Sequence, residues 1–146
     1  MYYRNIICPL DGTELMDRAL EAAQYLVKLS DAKLILINVV EKWYRAEEVA
    51  TDSKEWQALH NGWMEEGKTI VREAAERVKK NGVKRVDMLI SEGDAAYEIV
   101  AVAKERVADL IVMSCHRHSA VANFFEDSVI ERVTRNAPCP VFMIME

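Results

Sequence analysis

The side chains best equipped for chemistry sit together late in the chain, in Ser114-Cys115-His116-Arg117-His118-Ser119, with Asp127-Ser128 a short way downstream. A thiol beside a histidine and an arginine could be held as a thiolate and act as a redox or nucleophilic group. Cys115, His116 and His118 are metal-ligand types, but neighbours in an extended loop alternate direction and no distant acid or histidine is clearly paired with them, so no metal site is expected. No base and orienting acid can be assembled around Cys115, and Walker, G-x-G-x-x-G and nucleophile-elbow patterns are absent. The sequence therefore points away from an enzyme. Another chemistry remains, in which Arg117 and the two histidines grip an anion beside a helix that starts at Asp127-Ser128. A solvated polar loop explains the same residues without any ligand.

An apolar run, Leu110 to Met113, leads into this loop, and Pro138 ends the helix beyond it before a last apolar strand, Val141 to Met145. Further strands are expected at Ile6 to Leu10 and Lys33 to Val40, both short apolar stretches, and at residues 84–90. Between them lie helical patterns. Ala19, Ala22, Ala23, Leu26 and Val27 share one face, as do Ala96, Ile99, Val100, Ala103 and Val107 behind an N-cap at Asp94. In the long crossover, Asp52 and Glu55 have capping-box spacing ahead of a helix running to Lys80 and stopping at Asn81-Gly82. Gly62 and Gly67 predict a break or kink near 61–67. Trp56, Leu59 and Trp63 share a face suited to core or dimer packing rather than to a ligand box. Strands alternating with helices require a mainly parallel α/β sheet covered on both faces.

The chain has 146 residues, a formal charge of −5 and three cysteines. One domain over 1–146 is expected. The acidic balance disfavours nucleic acid as a partner. No apolar run approaches the ~20 residues of a membrane span, and the first ten residues do not read as a signal peptide. Odd, irregularly spaced cysteines make no disulfide framework, so a reducing, cytoplasmic setting is expected. Cys8 and Cys139 read as inert packing residues.

IICPLDGTELMDRAL, LILINVV, SEGDAAYEIVAVAKERVADLIVM and DSVIERVTRNAPCPVFMI, in that order, resemble the universal stress protein family over nearly the whole chain except about 42–65. The resemblance implies a single-domain, Rossmann-like, five-stranded parallel sheet in the order 3-2-1-4-5. It also implies a role in stress response and a dimer through the last strand. That strand is Val141, Phe142, Met143, Ile144 and Met145 here. It implies a nucleotide site at Pro9, Asp11, Val40, Met113, Ser114, Arg117, Asp127, Ser128 and Val129, with Asp11 meeting the adenosine part and the Val40 backbone facing adenine.

ATP-binding members carry G-x2-G-x9-G-[ST], whose glycine positions fall here on Ser114, Arg117 and Asp127, with Ser128 kept. Glycine allows backbone to approach phosphate closely. A carboxylate at Asp127, about 4 Å from one phosphate charge, costs roughly 4 kcal/mol at an effective dielectric near 20. Asp127 instead suits the helix N-terminus, where Ser128 and Glu131 have capping-box spacing and the acid could stand in for phosphate. The reading adopted is a module that binds a ligand or partner protein without catalysis, with ATP binding weak or absent. The alternatives are an ATP or AMP binder that uses Arg117 and the neighbouring histidines in place of glycines, and a redox-active Cys115.

Overall fold

The structure, a computed structural model, describes residues 2–41, 53–116 and 127–145. Its elements are β1 (Asn5–Pro9), α1 (Leu15–Ser30), β2 (Lys33–Val40), α2 (Lys54–Lys80), β3 (Val86–Glu92), α3 (Ala95–Glu105), β4 (Leu110–Cys115), α4 (Asp127–Asn136) and β5 (Val141–Met145). The five strands form one sheet in the order β3-β2-β1-β4-β5, and every pairing is parallel.

Alternation along the strands divides the core into two layers. Ile6, Cys8, Leu34, Leu36, Leu110 and Val112 face Ala19, Ala23 and Val27 of α1 and Val71, Ala74 and Val78 of α2. Ile7, Ile35, Ile37, Ile111 and Met113 face Ile99 and Ala103 of α3 and Val129, Ile130 and Val133 of α4. Successive strand residues point to opposite faces, so strands buried on both sides must be aliphatic throughout. Each large aliphatic side chain buried in this way contributes about 1.5–3 kcal/mol. Among the described residues no helix is long and apolar enough to cross a membrane.

Several local expectations change. Helix α2 is capped by Ser53, whose hydroxyl accepts from the Trp56 N–H at 3.1 Å; Asp52 lies outside the described residues. The helix runs unbroken through Gly62 and Gly67. Gly62 faces open space, whereas a Cβ on Gly67 would lie 2.8 Å from Asn38 Oδ1 and 3.3 Å from Val40 Cγ2. Gly67 therefore lets α2 lie close on the end of β2, and tertiary packing outweighs its low helix propensity. Trp56 is buried and stacks on His60 at 4.7 Å, Trp63 is partly buried, and Leu59 is exposed. His60 Nε2 lies 2.6 Å from Glu92 Oε1, which fixes the first turns of α2 to the end of β3.

Asp94 caps α3 by accepting from the Tyr97 N–H. Val107 does not continue the buried face of that helix: it is 74% exposed at φ 51°. It occupies the left-handed turn that closes the helix, where the Ala108 N–H reaches the Ala103 carbonyl at 2.9 Å and glycine would be favoured. β3 begins two residues later than expected. β4 extends through Ser114 and Cys115, which are strand residues rather than the start of a polar loop.

Candidate functional site

β1 neighbours β2 on one side and β4 on the other, so the chain reverses its direction of travel across the sheet between β1 and β4. Parallel α/β sheets bind ligands at this kind of reversal, beyond the carboxyl ends of the strands. Here β1 and β4 are in register at Ile6↔Leu110 and Ile7↔Ile111, whereas β1 follows β2 as far as Pro9↔Ile37 and β4 follows β5 as far as Cys115↔Met145. The central strands part above Ile7 and Ile111 and leave a crevice between two lips.

Asp11 stands on the first lip, where the Asp11-Gly12-Thr13 turn leaves buried Pro9 and Leu10; Gly12 has φ 81°. The Asp11 side chain is only 3% exposed. Its Oδ1 accepts from the Thr13 N–H at 3.0 Å and the Thr13 hydroxyl at 2.7 Å. Its Oδ2 has longer contacts across the crevice, with Ser114 Oγ at 3.5 Å and His116 Nε2 at 3.4 Å. The same His116 nitrogen is 3.2 Å from Thr13 Oγ1. The structure thus gathers Asp11, Thr13, Ser114 and His116 into one polar cluster. The use of His116 on Asp11 and Thr13 was missed by sequence reasoning, because those contacts span about a hundred residues; the Thr13–Asp11 contacts span only two, and the Asp-Gly-Thr turn was the signal that could have found them. Ser114 and Met113 are fully buried, and His116 is buried beside them.

Val40 does not offer its carbonyl to the crevice. That carbonyl accepts from the Gly93 N–H at 2.9 Å, toward β3. In a parallel ladder alternate residues direct their backbone groups to opposite neighbours. The Leu34 N–H reaches Arg85 on the β3 side, and the Lys33 N–H and Ile37 carbonyl reach Arg4 and Leu10 on the β1 side. By this parity the backbone of Val39 faces past the end of β1. Val39, not Val40, therefore presents a donor and an acceptor to the crevice, and strand parity was the signal that could have found it.

On the second lip α4 starts at Asp127, so Ser128 lies within its first turn and Val129 is buried against the sheet. Glu131 does not reach back as a capping box would; its carboxylate pairs with Arg135 at 2.7 Å. Arg117, His118 and the Asp127 side chain lie outside the described residues. Arg132 of α4 ion-pairs with Asp94, which ties this helix to the start of α3; this guanidinium, together with the Tyr97 N–H, holds the Asp94 carboxyl below its ordinary value. Glu41, the residue after β2, accepts from the Ala95 N–H at 2.9 Å and so joins the same junction.

The three cysteines form no disulfide. Cys8 is fully buried, and burial with the nearby Asp11 charge pushes its thiol far up. Burial also raises Cys139. Cys115 is buried opposite Met145. Among the described residues no three His, Cys, Asp or Glu side chains form a group that could hold a metal ion.

A family model described as the universal stress protein family matches residues 2–145. A universal stress protein of Methanocaldococcus jannaschii is 33% identical, over 97% of this chain and 82% of its own length. Among solved structures, a universal stress protein from Lactobacillus plantarum superposes with a TM-score of 0.84 at 23% identity, covering 99% of both chains. A universal stress protein in complex with cAMP superposes with a TM-score of 0.74 at 26% identity, over 99% of this chain and 98% of its own. The matched residues span all five strands from β1 to β5, and the chain belongs to the universal stress protein family.

Proposed function

We propose that this chain works by binding rather than by catalysis, and that its crevice takes an adenine nucleotide with few phosphate charges in preference to ATP. The observation that carries this reading is the order of groups across the opening. The Val39 backbone on β2 suits the hydrogen-bonding edge of a base. The Asp11 carboxylate on β1 suits a sugar hydroxyl, and the N-terminus of α4 beyond β4 suits phosphate. A base, a sugar and a phosphate follow the same order in a nucleotide.

Two features argue against a triphosphate. Asp127 is the first residue of α4, and an acid stands there at a position where the family's ATP-binding pattern has glycine; a like charge near phosphate is unfavourable. Arg117 supplies one cation but loses the close backbone approach of glycine. The relative described as a complex with cAMP supports a ligand with a single phosphate charge. Burial of Ser114 and of the Cys8 and Cys115 thiols, with Ser114 Oγ turned to Asp11, supports binding over covalent chemistry.

Calorimetric titration with AMP, ADP and ATP, with and without magnesium, tests the reading. Affinity is expected to fall from AMP to ATP. Micromolar ATP binding, tighter than that of AMP, would overturn it.

The edge strand β5 carries a second proposal, a homodimer. Phe142 and Met143 are 47% and 39% exposed on a strand that, among the described residues, lies at the edge of the sheet. Symmetric pairing of two such edges covers both.

A further inference from the structure

The lips of the crevice are joined by side chains where β1 and β4 no longer pair, and the hydrogen positions in that junction can be assigned. The Thr13 hydroxyl donates its proton to Asp11 Oδ1 at 2.7 Å, so toward His116 it can only accept. Asp11 Oδ2 is a carboxylate oxygen and also accepts. The hydrogen bond between His116 Nε2 and Thr13 Oγ1 at 3.2 Å therefore requires an N–H on that nitrogen, and the Asp11 Oδ2 charge 3.4 Å away favours the same arrangement. With its side chain 10% exposed and this nitrogen turned inward, His116 is poorly placed to grip a phosphate.

We infer that His116 is a positioning residue: carrying its proton on Nε2, it ties β4 to the Asp11-Gly12-Thr13 turn and aims Asp11 Oδ2 at the sugar of a bound nucleotide. This rests on the nucleotide reading above. Thr13 holds Oδ1 by two short bonds and so fixes one end of the carboxylate. The remaining freedom is rotation that moves Oδ2, and His116 and Ser114 bracket that oxygen from the opposite lip. Because its contacts are long, Oδ2 keeps capacity for a hydroxyl donor, which Oδ1 has largely spent.

The test compares AMP with 2′,3′-dideoxy-AMP, which lacks the hydroxyls that Asp11 would accept from, on the unmodified protein, His116→Ala and His116→Gln. Gln can return an N–H donor near the Nε2 position. His116→Ala is expected to weaken AMP about tenfold, the scale of one lost hydrogen bond to a charged group, and to leave the dideoxy ligand within about twofold. His116→Gln is expected to restore most of the AMP affinity. Nitrogen-15 NMR of the unmodified, ligand-free protein should place the ring proton on Nε2. Equal losses for both ligands in His116→Ala would make the ring a structural prop and overturn the inference. So would a gain in AMP affinity, or an Nε2 without a proton. If the unmodified protein takes up neither ligand, the nucleotide reading falls and the sugar-aiming role falls with it. Loss of discrimination between the ligands with normal AMP uptake by the unmodified protein isolates the role of His116.

Discussion

On the β1–β2 lip the polar groups are backbone at Val39 and a carboxylate pinned by Thr13, and both rest on strand residues buried from either face. On the β4–α4 lip the expected ligand groups are side chains at Arg117 and Asp127, in the positions of the family's glycines. The first lip follows from the sheet itself: while β2 keeps its register, Val39 keeps its direction. The second depends on which residues occupy a few positions at the start of a helix. A phosphate site can thus be lost by substitution without disturbing the fold, and so can the Asp11 side chain in its turn, whereas the base side, which is Val39 backbone, cannot be removed without disturbing a strand.

The strongest way to break this contrast is to give the second lip back its glycines. Arg117→Gly with Asp127→Gly is expected to raise ATP affinity at least tenfold in calorimetric titration. The Coulomb cost of one carboxylate near one phosphate, about 4 kcal/mol before screening, sets the upper limit. If ATP affinity stays unchanged, the first lip must be the one that fails.

The next effect, below the upper limit of the first, is expected at β5, which supports β4 and so the second lip. Met143→Lys places a charge on the proposed dimer edge and should weaken self-association by roughly 2 kcal/mol, about thirtyfold. Sedimentation equilibrium at tens of micromolar would show this. A monomer before mutation, or a dimer indifferent to Met143→Lys and Phe142→Lys, would remove the edge from the interface.

The mildest change concerns the Asp94–Arg132 junction, which connects the start of α3 to α4 from behind the crevice. Asp94→Ala loses the cap on Tyr97 and should cost about 1 kcal/mol in a denaturant titration. The folded carboxyl titrates below its unfolded value of about 3.9. Its stabilisation is therefore fully present above pH ~4 and lost as pH falls through the lower folded value. An unchanged acid limb in Asp94→Ala would count against this contribution.

Local chemistry made much of the fold legible. β2 and β5 have the bounds that their aliphatic runs predict, and Asp94 caps its helix as its position suggests. Where packing outweighs local preference, sequence reading failed. Gly67 reads as a break but is a close-contact residue, and Val107 reads as core but takes the left-handed turn at φ 51°. In the site, Asp11 and Ser114 could be found through the family pattern. The choice between Val39 and Val40 needed strand register, and the link from Thr13 to His116 needed the folded crevice.

The central strand also sets a timetable for synthesis. β1 is made first, but Leu110, its partner at Ile6, follows 104 residues later. At about 5–20 residues per second this interval lasts roughly 5–20 s. Until then β1 can pair with β2 while its other edge has no β4 to meet, and the Arg4 and Asn5 amides lack the Asp109 carboxylate that later accepts them at 2.7 and 2.9 Å. The growing chain thus carries an open, apolar strand edge, the kind of surface that chaperones cover. Slowing translation before Leu110 should increase aggregation of the nascent protein, although the finished fold is the same.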